Sequence, residues 1–277
     1  MSDTKYWIAL NDVLDVGPVT AKKLLALYRK PEKIFSASYK ELAGIPGIGP
    51  KKAKNIKGFK GWEKIDTQLK KLESKNANVV TLDDTGYPEL LKNMEDSPIV
   101  LYTKGSVQKE DRFAIAVVGS RKYSSYGRFA VEKLSSELTS LGFTIVSGMA
   151  RGIDTLAHTA TVNSGGRTIA VLGSGIDVPY PPENKMLMEK IYCSGCVITE
   201  FPPGTQPERE NFPRRNRLIS ALSLGVLVIE AAADSGSLIT ASCAADQGKE
   251  VFAVPGNINS ANSAGTNELI KNGVKLV

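Results

Sequence analysis

From about residue 76 the chain alternates short apolar runs with longer amphipathic stretches. The apolar runs read as strands at Val79–Leu82, Ile99–Tyr102, Ala114–Val118, Thr144–Val146, Thr168–Leu172, Val197–Thr199, Val226–Ile229 and Val251–Val254. Helical spacing lies between them at Tyr126–Leu141, Ile153–Asn163, Arg215–Ser223 and Leu238–Gln247. Runs such as AIAVVG and GVLVIEA are apolar throughout, as in strands buried on both faces. The alternation predicts an α/β domain over 76–277 with a doubly wound, mostly parallel sheet.

Residues 1–75 follow a different pattern, a repeat offset by 32 positions. Asp15-Val16-Gly17-Pro18 and Gly47-Ile48-Gly49-Pro50 each lead into a Lys-containing helix start. Proline suits a first helical turn, where its missing N–H has no partner to lose. Gly47 and Gly49 can adopt the positive φ of a tight interhelical hairpin. That leaves free N–H groups at a helix N-terminus beside Lys51, Lys52 and Lys54, a place for a phosphate. The pattern resembles the doubled helix-hairpin-helix of DNA-repair nucleases and ligases, which grips nucleic-acid backbone without reading sequence. Its first copy is degenerate, and the alternative is that the hairpins serve as a packing or protein-binding unit.

Glycine and polar residues gather where the predicted strands end: Gly119-Ser120-Arg121, Ser147–Asp154, Gly173–Asp177, Glu230–Ser237 and Pro255-Gly256-Asn257. The carboxyl ends of parallel strands face one crevice, and glycine turns with helix N-termini there favour a phosphate-bearing ligand. No P-loop is present, and neither Gly119-Ser120-Arg121 nor Gly173-Ser174-Gly175 completes a dinucleotide fingerprint. No cofactor, metal site or catalytic residue is expected. His158, the single histidine, reads as a packing or capping partner for Asp154. Cys193 and Cys196 have no second pair to complete a metal site and read as structural.

One segment, Gln206–Ser220, places Arg209, Arg214, Arg215 and Arg217 within nine residues, interleaved with Phe212 and Asn216. Guanidinium forks suit phosphate oxygens and an aromatic ring can stack an unpaired base. Alone, the segment also fits a helix start salt-bridged to Glu208, Glu210 and Glu230. With AVVGSR, SGMARGIDTLAH, VLGSGIDVPYPPEN, FPRRNRLIS, SGSLITA and FAVPG in that order, the chain resembles the DNA-processing protein A (DprA/Smf) family over roughly residues 80–277. The resemblance implies an extended Rossmann-like domain that binds single-stranded DNA, forms a homodimer and loads RecA recombinase on strands entering by natural transformation. It implies no enzymatic activity.

Carried across residue by residue, it makes Gly119, Ser120 and above all Arg121 a phosphate-binding turn. Phe212, Arg214, Arg215, Asn216 and Arg217 match the FPRRNR stretch, with some of its arginines expected to pin the segment to the sheet. Ser235, Gly236 and Ser237 would add hydroxyl and N–H donors. Lys185 matches a basic region that Pro182 and Glu183 weaken here. The C-terminal winged-helix domain of many members is expected to be absent. The competing reading is a nucleotide-processing enzyme resembling a phosphoribohydrolase, with Glu230, Asp177 or Glu200 as base; the run Val254–Asn257 lacks that signature.

Composition sharpens this in one respect. The net charge is +6, yet residues 1–75 hold 16 basic and 8 acidic residues, and the remainder holds 19 and 21. The basic excess fits a polyanion-binding accessory or a lysine-rich solvated surface. With 42% hydrophobic residues, no long apolar run and no secretory leader, a cytoplasmic globular protein is expected.

Overall fold

The computed structural model describes residues 2–277. Helices Ser2–Asp12, Pro18–Tyr28, Pro31–Ser36, Tyr39–Gly44, Gly49–Lys57 and Trp62–Ser74 come first. The sheet follows: β1 (Asn78–Thr81), β2 (Val100–Gly105), β3 (Ala114–Val118), β4 (Thr144–Ser147), β5 (Thr168–Val171), β6 (Cys196–Thr199), β7 (Gly225–Val228), β8 (Glu250–Ala253) and β9 (Lys275–Leu276). Its order is β1-β2-β6-β5-β4-β3-β7-β8-β9. The pairs from β6 to β9 are parallel, while β1–β2 and β2–β6 are antiparallel. From β3 the chain winds outward through β4 and β5 to β6, then returns to place β7 on the other side of β3. The strand order reverses between β3 and β7, and there the first turns of the two halves diverge and open a crevice.

Period-two alternation sends neighbouring side chains of β3 into different cores. Ala116 and Val118 pack with Leu218, Ile219 and Ala241, whereas Val117 packs with Val131, Ile153 and Ala157. A third cluster crosses from the N-terminal helices into the sheet, joining Leu10, Leu24, Leu42 and Ile65 to Val100, Tyr102, Leu172 and Ile176. Polar ties reinforce it. Lys22 Nζ donates to the Met94 and Glu95 carbonyls, 2.9 Å each, and Lys71 pairs with Asp177 at 2.6 Å.

The repeated hairpins are alike in backbone where it matters. Asp15 holds φ +65°, matching Gly47 at +83°, so an aspartate occupies the left-handed position that glycine fills in the second copy. Asp15 then pairs with Lys51 across the hairpins at 2.9 Å and accepts from Asn55 Nδ2 at 3.1 Å. The Lys51 ammonium beside it holds the Asp15 carboxyl below its usual range.

Four elements depart from the sequence-based expectation. The helix expected from Arg215 begins at Asn211, with Pro213 in its first turn, where backbone N–H groups lack helical partners. Helices Lys185–Ser194 and Ala264–Lys271 follow expected strands or turns without a distinctive start signal. The two-residue β9 is too short for any periodicity to reveal. His158 also differs: its Nδ1 lies 2.7 Å from Thr168 Oγ1 and not on Asp154, because Asp154 turns back to the Ala150 N–H at 3.3 Å.

Two consequences can be measured. Asp111 is buried and accepts from Arg167 Nε at 3.0 Å, Arg167 Nη2 at 2.8 Å and Thr144 Oγ1 at 2.9 Å. Asp111→Ala strands that guanidinium and is expected to lower unfolding stability in urea by about 3 kcal/mol. Glu132→Ala, which breaks the exposed Arg128–Glu132 pair, is expected to leave the urea midpoint unchanged.

Candidate nucleic-acid interface

At the carboxyl ends of β3 and β7 lies a cavity of about 910 Å³. The turn leaving β3 forms one wall. Ser120 N–H donates to the Glu230 carbonyl at 2.7 Å, and the Ser120 hydroxyl donates to the Lys122 carbonyl at 2.7 Å. The Glu230 carboxylate accepts from Ser124 N–H at 2.9 Å and Ser124 Oγ at 2.5 Å. A Cβ at Gly127 would stand 2.2 Å from the Glu230 carboxylate, so any larger residue there has to displace that carboxylate from Ser124. Gly152 is constrained twice, by φ +87° and by the Ser120 carbonyl 2.2 Å from where a Cβ would be. The turn is therefore held rigid, and it presents Arg121 outward.

The helix Asn211–Ala221 supplies the opposite wall, and its 3.6-residue period divides the arginine segment. Phe212, Arg215, Asn216 and Ile219 face the cavity. Arg214 and Arg217 point away, both toward Glu200 Oε2, at 3.1 and 2.6 Å, and Arg217 also reaches Asp96 at 3.4 Å. Burial pushes the Glu200 carboxyl upward, and the two guanidiniums oppose that shift. Arg214 and Arg217, expected on the sequence to contact the ligand, are thus set apart from the cavity.

Arg215 is itself buried, 3% exposed. It donates to the Gly148 carbonyl at 2.6 Å, to the Val171 carbonyl, and to Asn216 Oδ1 at 3.2 Å. Burial pulls its guanidinium down to about 10, with the Asp154 carboxylate opposing and Arg121 assisting. Burial likewise lifts Asp154 to about 6 against the pull of Arg215. Beneath them, burial holds His158 neutral, its imidazole pushed down to about 3. Asn216 Nδ2 donates to the Gly236 carbonyl at 3.2 Å and so fixes the next wall. There Ser235 caps the helix Gly236–Asp246, with its Oγ 2.8 Å from Ser237 Oγ.

The exposed face of the cavity carries Arg121, Lys122 and Arg209. None of the ion pairs among the described residues involves these three. The Arg121 guanidinium lies 5.6 Å and that of Arg215 6.0 Å from the Phe212 ring, and Tyr180 tilts against the same ring at 5.6 Å. Asp234 is the acidic group at the rim. The cavity can thus hold phosphate oxygens at the guanidiniums and a planar base at Phe212.

Of the residues singled out from the sequence, the cavity gathers Gly119, Ser120, Arg121, Arg209, Phe212, Arg215, Asn216, Ser235, Gly236 and Ser237. Lys185 instead starts the helix Lys185–Ser194 outside it, beside Glu183, which binds Arg151. Lys122 directly follows the motif AVVGSR and Tyr180 lies within VLGSGIDVPYPPEN, whereas Asn262 enters from a distant loop with no signal in its own neighbourhood. In the hairpins, Lys52 is engaged by Thr20 Oγ1 and the Gly47 carbonyl, at 3.2 and 3.1 Å. Lys51 is held by Asp15, and Lys54 is exposed.

Comparison with known proteins accounts for both parts of the chain. Residues 8–58 match the SAM-like helix-hairpin-helix tandem, and residues 78–277 match the DNA recombination-mediator protein A family. Protein Smf of Synechocystis is 38% identical across 100% of this chain and 70% of its own length. DNA processing protein DprA of Streptococcus pneumoniae is 45% identical over 76% of this chain and 74% of its own. The X-ray structure of that protein superposes with a TM-score of 0.81 at 36% identity, covering 99% of this chain and 94% of the other. DNA processing protein A of Helicobacter pylori, whose structure describes a single-stranded DNA binding mode, gives 0.65 at 31% identity over 72% and 90%. With one helical tandem and one mixed, mostly parallel sheet aligned along its length, the chain belongs to the DNA recombination-mediator protein A (DprA/Smf) family.

Proposed function

We propose that this chain is a single-stranded DNA-binding recombination mediator, not an enzyme, and that residues 76–277 carry its principal site. The observation that carries the reading is the pairing of the free Arg121 guanidinium with Phe212 inside a crevice at the strand-order reversal. Phosphate charge and an unpaired base meet complementary groups there in one nucleotide's reach. In this reading Arg121 and Arg209 contact phosphate, Phe212 stacks a base, and Ser235, Gly236 and Ser237 offer donors at a helix N-terminus. Arg215 and Asn216 position these groups. The chain acts in the cytoplasm as a homodimer, protects strands taken up in natural transformation or arising in recombination, and passes them to RecA. The hairpin at Gly47–Lys54 adds an accessory grip, chiefly through Lys54.

The carboxylates that hydrolysis would require support the non-enzymatic reading. Glu230 is occupied by Ser124, Glu200 by two arginines, and Asp177 by Lys71 and the Gly204 N–H. Each serves as a structural acceptor rather than a base presented to a ligand.

Arg121→Glu is expected to weaken oligo-dT binding by about 100-fold or more, measured by fluorescence anisotropy, with an unchanged melting temperature. Unchanged affinity in the folded variant rejects the cavity as the site. Phe212→Ala is expected to cost about ten-fold, the range of one stacked base. Log affinity should fall linearly with log salt, and the slope should become shallower in Arg121→Ala by about 0.7, the value for one phosphate contact on a single strand.

A further inference from the structure

A second, smaller hollow of about 420 Å³ adjoins the main cavity. Tyr126, Pro255, Gly256, Asn257 and Ser260 line it, with the Glu230–Ser124 pair at its floor. Where the two linings meet along the chain, a hydrogen bond runs from Asn262 Nδ2 to the Lys122 carbonyl at 3.0 Å, with Asn262 next to Ser263 and Lys122 near Ser124 of the smaller hollow. Both of its residues also line the main cavity. Lys122 is exposed, so this boundary between the two hollows carries a lysine open to solvent.

The far side of this boundary is rich in exposed apolar groups that no core requires. Tyr126 is 48% exposed, Phe129 62% and Ile258 90%. Tyr126 does not swing freely, because its hydroxyl donates to the Pro255 carbonyl at 3.0 Å. A ring anchored at its tip and open along its side is a pre-formed stacking surface, which loses little rotamer freedom on binding. Phe129 follows one helical turn later on the same exposed face.

We propose that this hollow is a second base-stacking subsite on the path of the same single strand; the inference rests on the proposed function. The strand leaves the main cavity across the boundary with a phosphate at Lys122. The next base enters the hollow against Tyr126, with Asn257 and Ser260 at its polar edge and the exposed Ile258 next to Asn257 in the chain. The orientation follows from charge: Glu230, though its carboxylate is occupied by Ser124, disfavours a phosphate in the hollow and favours the neutral base. The two linings run on from each other along the chain, Lys122 to Ser124 and Asn262 to Ser263, and the nearby lysine suits a polyanion. A docked protein or a second copy of this chain would not need Lys122 at the boundary.

The test uses the full chain with dT4, which the main cavity can accommodate, and dT15, which spans both hollows. Tyr126→Ala is expected to lower dT15 affinity about ten-fold and leave dT4 affinity unchanged. Tyr126→Phe, which keeps the ring, should retain most of the dT15 affinity. Ile258→Glu, at a position too exposed to affect folding, should also weaken dT15 alone. A dT15 bearing 5-iododeoxyuridine should photo-cross-link to the peptide containing Tyr126. Wild-type affinity for dT15 in both Tyr126→Ala and Ile258→Glu overturns the subsite. So does a change of oligomeric state without a change in DNA affinity, which would make this face a contact between copies. Failure of the unaltered chain to bind either oligonucleotide overturns the proposed function itself, and the subsite with it.

Discussion

The guanidinium of Arg215 lies where three parts of the fold meet, and the shape of the cavity at the ends of β3 and β7 depends on it. A buried cation is costly unless its donors are satisfied. Here they end on the carbonyl just beyond β4, on that of the last residue of β5 and on Asn216, whose amide reaches the helix after β7. One side chain thereby ties the ends of three βα units together beneath Phe212. Asp154 lies near enough to favour the charged guanidinium, yet the contacts within bonding distance are to backbone and amide oxygens. The result is a fixed positive floor under an aromatic ring, with mobile charge left to Arg121 and Arg209 above it. Pre-organisation of this kind keeps the cost of ordering the site out of the binding step.

A second constraint links the N-terminal helices to this arrangement. Their apolar residues share a core with Tyr102, Leu172 and Ile176, and Lys71 holds Asp177 in the loop after β5. That loop continues to Tyr180, which leans on Phe212. The basic excess of residues 1–75 is partly consumed in this joining and in fastening the hairpins to one another, through Lys22, Lys51, Lys52 and Lys71. Net charge therefore overstates what the helices can offer to a polyanion, because a lysine bound to an internal carboxylate or carbonyl contributes less to the outer field.

Much of the architecture was legible beforehand. Strands β3 and β7 are short and apolar throughout and β4, β5 and β6 are buried at every position, which leaves a mark that spacing can read. The helix Ile153–Asn163 agrees end to end with its pattern. The elements that escaped notice had weak signals for physical reasons. β9 is two residues at an edge, and helix Ala264–Lys271 follows a turn-like run of Asn and Ser. At the site, Arg121 and Phe212 were visible because each stands in a recognisable turn or segment. Which arginines of the segment hold it in place, as Arg214 and Arg217 do on Glu200, spacing alone left open.

By itself, the sequence determined the α/β class, the doubled hairpin, the family and the stretches from which the site is built, since all of these rest on local spacing and order. Only the tertiary structure decided which members of those stretches act together. The helix starting at Asn211 rotates successive arginines by about 100°, so Arg214 and Arg217 meet Glu200 while Arg215 turns beneath the cavity. The reversal of strand order between β3 and β7 brings Arg121 to Phe212 and to Ser235, residues separated by about a hundred positions in the chain. Charge and aromaticity belong to residues one at a time; whether they form a site depends on which way each faces and on what has already claimed its hydrogen bonds.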